Sequence, residues 1–86
     1  MQEFMRKFTQ LNGVAARVNL MHRLFDTQHF YCEELQTIND DERIGIVLKN
    51  QEIFVYKQDI KIAETYNDVY TISDDEFSID IIVNKL

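Results

Sequence analysis

The chain has 86 residues, 45% of them hydrophobic and 28% charged. That is enough for one hydrophobic core, but too short for a doubly wound dinucleotide domain or an eightfold βα barrel. Its net charge of −6 opposes attraction to nucleic-acid phosphate, and its single cysteine, Cys32, excludes both an intramolecular disulfide and a zinc finger built from several cysteines.

The first predicted element is a long amphipathic helix over residues 1–25. Phe4, Phe8, Leu11, Val14 or Ala15, Val18, Met21 and Phe25 recur at steps of three and four, the period of one helix face. Leu20 and Leu24 widen that face. Gly13 lies inside the pattern at a cost of about 1 kcal/mol relative to alanine. Such a helix is about 33 Å long from residue 4 to residue 25, more than a small sheet can cover. Phe4, Leu11, Val18 and Phe25 also repeat every seven residues, the spacing of a short coiled-coil seam. They are the candidate interaction residues, and the expectation is a homodimer joined through them.

Residues 26–38 are ambiguous. Asp26 or Thr27 can cap a second short helix, with Tyr31, Leu35 and Ile38 on one face. The alternative is a strand from Phe30 to Thr37 ahead of the turn at Asn39-Asp40-Asp41, and Phe30-Tyr31-Cys32 tips the balance toward it.

From Glu42 onward the period is two, which predicts an antiparallel sheet over residues 42–83. Ile44, Ile46 and Leu48 alternate with their neighbours, as do Ile53 and Val55. Lys49-Asn50-Gln51 between them predicts a hairpin with Asn50 at positive φ. Residues 60–65 read as a strand with Ile60 and Ile62 inward. Asn67-Asp68 turns into Val69–Ser73. Asp74-Asp75 then turns into Phe77–Val83, where Phe77, Ile79, Ile81 and Val83 share one face and Ile82 lies on the other. The expected core is Ile44, Ile46, Ile53, Val55, Ile79 and Ile81. The hairpin is apolar on both faces, so its second face must also be covered. Asp40-Asp41-Glu42 and Asp74-Asp75-Glu76 echo each other as turn chemistry, without a wider repeat.

The fold expectation is therefore α+β: a single domain over 1–86, with a long N-terminal helix packed on a small antiparallel meander, open or curled into a helix-capped barrel.

Chemistry-bearing residues are sparse. His22, His29, Cys32 and Glu33 are the metal candidates, because a helix would bring His29, Cys32 and Glu33 together, whereas a strand would fan them apart. The acidic turns lack the spacing and glycine of a calcium loop. No G-x-S-x-G elbow, C-x-x-C pair, P-loop or dinucleotide fingerprint occurs, so no catalytic residue and no cofactor is expected. Charge divides unevenly: residues 1–25 sum to +3 and residues 26–86 to −9. The exposed tyrosines expected at Tyr56, Tyr66 and Tyr70 have no basic residues interleaved on their own segments, and direct nucleic-acid binding is not expected. No apolar run reaches the roughly 18 residues of a membrane span, and Met1-Gln2-Glu3-Phe4 lacks a signal-peptide pattern, so a cytoplasmic chain is expected. By elimination the functional expectation is a non-enzymatic protein-interaction or regulatory module with a protein partner. The alternative is an acidic mimic of nucleic acid, suggested by the carboxylates at 33–34, 40–42 and 74–76.

Overall fold

The computed structural model describes residues 2–83. Met1 and residues 84–86, the two ends of the expected 1–86 domain, lie outside the described residues. A short helix, α1 (Gln2–Thr9), precedes β1 (Ala16–His22), β2 (Phe25–Cys32), β3 (Gln36–Asn39), β4 (Arg43–Leu48) and β5 (Gln51–Tyr56). A 3₁₀ turn at Lys57–Asp59 then leads to β6 (Ile62–Tyr66), β7 (Val69–Ser73) and β8 (Phe77–Val83). The strands form a five-stranded sheet in the order β2-β1-β8-β7-β6 and a three-stranded sheet in the order β3-β4-β5. All neighbours are antiparallel.

This overturns the expected long helix over 1–25 and the helix-capped barrel. The helix stops at Thr9, and both sheets are open. Past Thr9 the backbone tightens: Gln10, Leu11 and Asn12 donate to the carbonyls three residues back, at 3.0–3.3 Å. Gly13 then adopts φ +87, which ends the helix. Its N–H donates to the Leu35 carbonyl at 2.6 Å, and Leu35 N–H donates to the Val14 carbonyl at 3.0 Å. The Asn12 side chain accepts from Thr37 N–H at 3.1 Å. Asn12-Gly13 is thus a turn signal, not a tolerated defect in a helix. Beyond it, Ala16, Val18 and Leu20 are buried, while Arg17 and Asn19 face the other way. A period of two lay beneath the three-and-four spacing, and pairing on both sides of β1 selected it.

Residues 26–38 are extended, and the short helix capped at Asp26 or Thr27 is absent. The chain forms β2, turns at residues 33–35, and starts β3 in the other sheet. The expected single meander over 42–83 is likewise divided, with β4 and β5 in the small sheet and β6 to β8 in the large one.

The inner faces of both sheets share one core. Val18, Ile72, Ile79 and Ile81 from the large sheet join Ile44, Ile46 and Val55 from the small one, and Phe4, Phe8 and Leu11 from the N-terminal segment. Phe4 stacks on Phe8 and meets Tyr70 of β7 at 6.0 Å, so α1 closes the core beside β7. Of the six expected core residues, five are buried and Ile53 is half-buried against them. The register of β6 is one residue from expectation: Ala63 packs on the core, while Ile62 is 44% exposed on the outer face.

Turn chemistry explains the hairpins. Lys49 and Asn50 have φ 50 and 66, and Asn67 and Asp68 have φ 48 and 66. Two consecutive left-handed residues give a turn that matches the strand twist. The two acidic turns share another device. Asp40 Oδ1 accepts from Glu42 N–H at 2.9 Å and Arg43 N–H at 2.7 Å. Asp74 Oδ1 accepts from Glu76 N–H at 2.9 Å and Phe77 N–H at 2.8 Å. In each turn the first aspartate caps the loop, which explains the Asp-Asp-Glu echo without a duplication.

The second face of the β4–β5 hairpin is covered locally. Ile38, Gly45 and Phe54 lie side by side across the small sheet, and Ile38 is buried there. Arg43 lies over the Phe54 ring at 4.8 Å and is held by Asp40 and Glu52.

Candidate interaction face

Arg17, Asn19 and Met21 leave β1 on the side opposite the buried Ala16, Val18 and Leu20. Registry with the neighbouring strands turns that side into rows across the large sheet. One row runs Tyr31, Arg17, Ile82, Val69, Tyr66 and touches all five strands. At roughly 4.8 Å per strand it spans about 19 Å. Its ends are aromatic and open, with Tyr31 57% and Tyr66 78% exposed, and Ile82 and Val69 between them are half-buried. The next row, His29, Asn19, Asp80, Thr71, Glu64, is polar. His29 Nδ1 lies 2.7 Å from Asn19 Oδ1, and Thr71 Oγ1 donates to Asp80 Oδ1 at 2.9 Å. Met21, Ser78, Ser73 and Ile62 make the third row.

A shallow groove of about 550 Å³ crosses the β2 side of this face, lined by Arg17, Asn19, His29, Phe30, Tyr31 and Ile82. Arg6 and Arg23 each lie within 4.0 Å of one carboxylate, and Arg43 of two. Among the described residues Arg17 has no such partner.

The candidate interaction residues do not form a seam. Phe4, Leu11 and Val18 are buried together in the core, on the helix, the following turn and a strand respectively. Phe25 sits at the β1–β2 hairpin tip, 72% exposed beside the exposed Leu24. The register slips between Leu20 and His22, so Met21 opposes both Asp26 and Thr27, a bulge on β2.

The metal candidates are also separated. His22 ends β1, accepts from Leu24 N–H at 3.1 Å and contacts the Phe25 ring. His29 and Cys32, three apart on a strand, point to opposite faces. Burial pushes the Cys32 thiol up from its ordinary value, and Glu33 is exposed in the turn beyond. Among the described residues no three His, Cys, Asp or Glu side chains are grouped to hold a metal ion. No helix among them is long and apolar enough to cross a membrane.

The carboxylate runs at 33–34, 40–42 and 74–76 do not share one surface. Asp41, Glu42, Asp59, Asp74, Asp75 and Glu76 gather along the Lys57–Asp59 connector, whereas Glu33 and Glu34 follow β2. Lys57 and Lys61 line the same surface, and Arg23 pairs with Glu76 there.

Two of the three tyrosines expected at the surface, Tyr56 and Tyr66, are exposed, while Tyr70 turns inward against Phe4. The interleaved cation missing from their own segments reaches the Tyr66 row from β1, as Arg17. The expected exposure of Tyr66 and the placement of Ile82 on the far face of β8 were the signals of that row within single segments. No protein-family model, curated protein or solved structure matches this chain.

Proposed function

We propose that this chain is a non-enzymatic protein-interaction module that docks a partner protein on the outer face of its five-stranded sheet. The Tyr31–Arg17–Ile82–Val69–Tyr66 row carries this reading. Its neighbouring row is polar and internally hydrogen-bonded, as a solvated face should be, whereas this row presents tyrosines, aliphatics and an arginine. Tyrosine and arginine are the side chains that most often anchor protein interfaces. A cytoplasmic setting belongs to the same proposal. The decisive experiment is affinity capture with face-specific variants. Ile82→Glu and Tyr66→Ala should abolish recovery of the partner, while Tyr56→Ala, on the other sheet, should leave it intact. Equal recovery by all three would exclude this face. Homodimerisation, having lost its helical seam, is tested by light scattering of the same variants: a species near 20 kDa that Ile82→Glu returns to 10.3 kDa would make a second copy the partner.

The acidic mimic is the second reading, favoured by the gathering of two acidic turns along Lys57–Asp59. Arg23, Lys57 and Lys61 interrupt that surface, and Glu33 and Glu34 stand apart from it, so the sheet face ranks first. A mimic should compete with DNA for a basic protein, and the competition should weaken steeply with salt. Absence of any such competition at low salt removes this reading.

A further inference from the structure

We propose that Arg17, Asn19 and Tyr31 form an oxyanion subsite on this face, which anchors a carboxylate or phosphate borne by an extended peptide segment of the partner. The inference rests on the docking face described above and names the chemistry that the face recognises.

The donors come first. Among the described residues Arg17 is the arginine with no carboxylate within 4.0 Å, and its backbone is fixed between fully buried Ala16 and Val18 in a strand paired on both sides. A guanidinium offers a rigid fork of N–H donors suited to carboxylate or phosphate oxygens. Its in-register neighbours are Tyr31 and Ile82, neither of them a carboxylate. Asp80, in the adjacent row, is the in-register neighbour of Asn19 and accepts from Thr71 Oγ1 on its other side. Asn19 Oδ1 can only accept, so the 2.7 Å contact requires His29 Nδ1 to carry the proton. That bond occupies the amide oxygen and leaves the Asn19 NH₂ group available. His29 is thus a positioning residue. Among the described residues the groove lining contains no carboxylate, in a chain of net charge −6. A local concentration of donors on an acidic protein is complementary to an anion, while Ile82, in register with Arg17, supplies apolar wall for the stem that carries it.

The strand order gives the segment its path. β2 is the edge strand, and Tyr31 and His29 alternate onto the outer face. The bulge at Asp26 and Thr27 leaves Gln28–Cys32 as the regular part of that edge. An extended peptide pairing there would lie about 9.6 Å from the β1 backbone, two strand spacings away. An acidic side chain from that peptide and the long Arg17 side chain can meet across β2.

The test is a side-chain NMR titration of labelled protein at constant ionic strength, with inorganic phosphate in one arm and N-acetylglutamate amide in the other. The expected result is saturable change confined to the Arg17 Nε–H, the Asn19 amide and the Tyr31 ring. Arg17→Gln should weaken it about tenfold or more, since a hydrogen bond to a charged group is lost. Lys57→Gln should leave it unchanged. His29→Ala should free the Asn19 amide resonance and weaken binding with no change in thermal midpoint, which separates positioning from folding. Saturation by one probe alone identifies which oxyanion the subsite takes. Linear, unsaturable change with both probes, or equal loss in Arg17→Gln and Lys57→Gln, overturns the subsite. If neither anion saturates while Ile82→Glu still abolishes capture, the subsite falls and the docking face stands. If anions saturate but capture ignores Ile82, the peptide is the wrong occupant and the proposal falls with it.

Discussion

Gly45→Ala separates the physics of this structure from a general rule about glycine. A glycine inside a strand normally weakens it, and alanine at a compatible site stabilises by about 0.4–1 kcal/mol through the unfolded chain. Gly45 has an unexceptional φ, so composition alone predicts stabilisation. The structure predicts the opposite. A Cβ at this position would collide with the Ile53 carbonyl oxygen and lie 2.5 Å from Phe54 Cα and 2.8 Å from Phe54 Cβ. The first two are backbone atoms of the paired strand, so no rotamer change relieves the contact and β4 must move away from β5. Overpacking of this kind costs about 1–3 kcal/mol, which exceeds the entropic gain.

For a domain of this size each kcal/mol moves the thermal midpoint by about 4–8 °C, so a net loss of about 1 kcal/mol in Gly45→Ala should lower it by several degrees. Urea denaturation should show a lower midpoint with an unchanged slope. A raised midpoint would refute the close approach of β4 and β5. Gly13 is the control. A Cβ there meets nothing within 4 Å, and only its φ of +87 resists substitution. Gly13→Ala should cost about 1–2 kcal/mol, and Gly13→Asn should recover part of it, because asparagine tolerates left-handed backbone. No such recovery should occur with Gly45→Asn.

Ile46 is fully buried, and Ile46→Ala should cost about 2–5 kcal/mol in a denaturant melt, with a loss under ~0.5 kcal/mol contradicting the inward register of β4. Val18→Asp should unfold the chain by burying an unpaired charge, whereas Phe25→Asp, at an exposed tip, should stay within about 0.5 kcal/mol of the parent; circular dichroism melts distinguish the two. Asp40 should titrate below 3.8, because the backbone N–H groups of Glu42 and Arg43, and then the Arg43 side chain, favour its charged form. Its folded value is depressed, so its stabilisation is complete above the unfolded value and is lost as pH falls through the folded one. Carbon-detected NMR measures the midpoint, and Asp40→Ala should flatten this part of the acid-unfolding curve.

The sheet region was readable because its signals are local. Asn50 and Asn67-Asp68 are turn residues with one job each, and Phe77–Val83 alternates between a buried face and a half-buried one, although β6, with isoleucines at both 60 and 62, pointed to the wrong face. The N-terminal region was misread because two periods overlapped. Leu11 and Val18 are both buried, as the helical pattern required, but one lies in a turn and the other in a strand. Spacing by seven does not distinguish these cases, since it records burial without recording backbone geometry. Asn12-Gly13 carried the missing information. Given weight as a turn, it ends the helix and leaves Ala16, Val18 and Leu20 as an inward-facing strand. The division of the later meander was less accessible. It depends on β8 choosing β1 as a neighbour across some sixty residues, a pairing that no local pattern encodes.

The same long-range pairing accounts for what was unreadable at the candidate site. Tyr31, Arg17, Ile82, Val69 and Tyr66 come from five strands and share no motif. Each has an ordinary explanation within its own segment: an edge tyrosine, a solvated arginine, an aliphatic on the second face of a strand, a tyrosine before a turn. They acquire common meaning only when four registers are set together, and a slip of one residue in any of them would send part of the row into the core. The metal candidates fail for the converse reason. His29, Cys32 and Glu33 are close in sequence, and that closeness would become convergence only on a helix. Once β2 is extended, alternation divides His29 from Cys32 across the sheet, and His29 meets Asn19 instead. The partnership that gives His29 a role therefore arises from the β1–β2 hairpin, and the Arg17 beside it is held in place by strands at both ends of the chain.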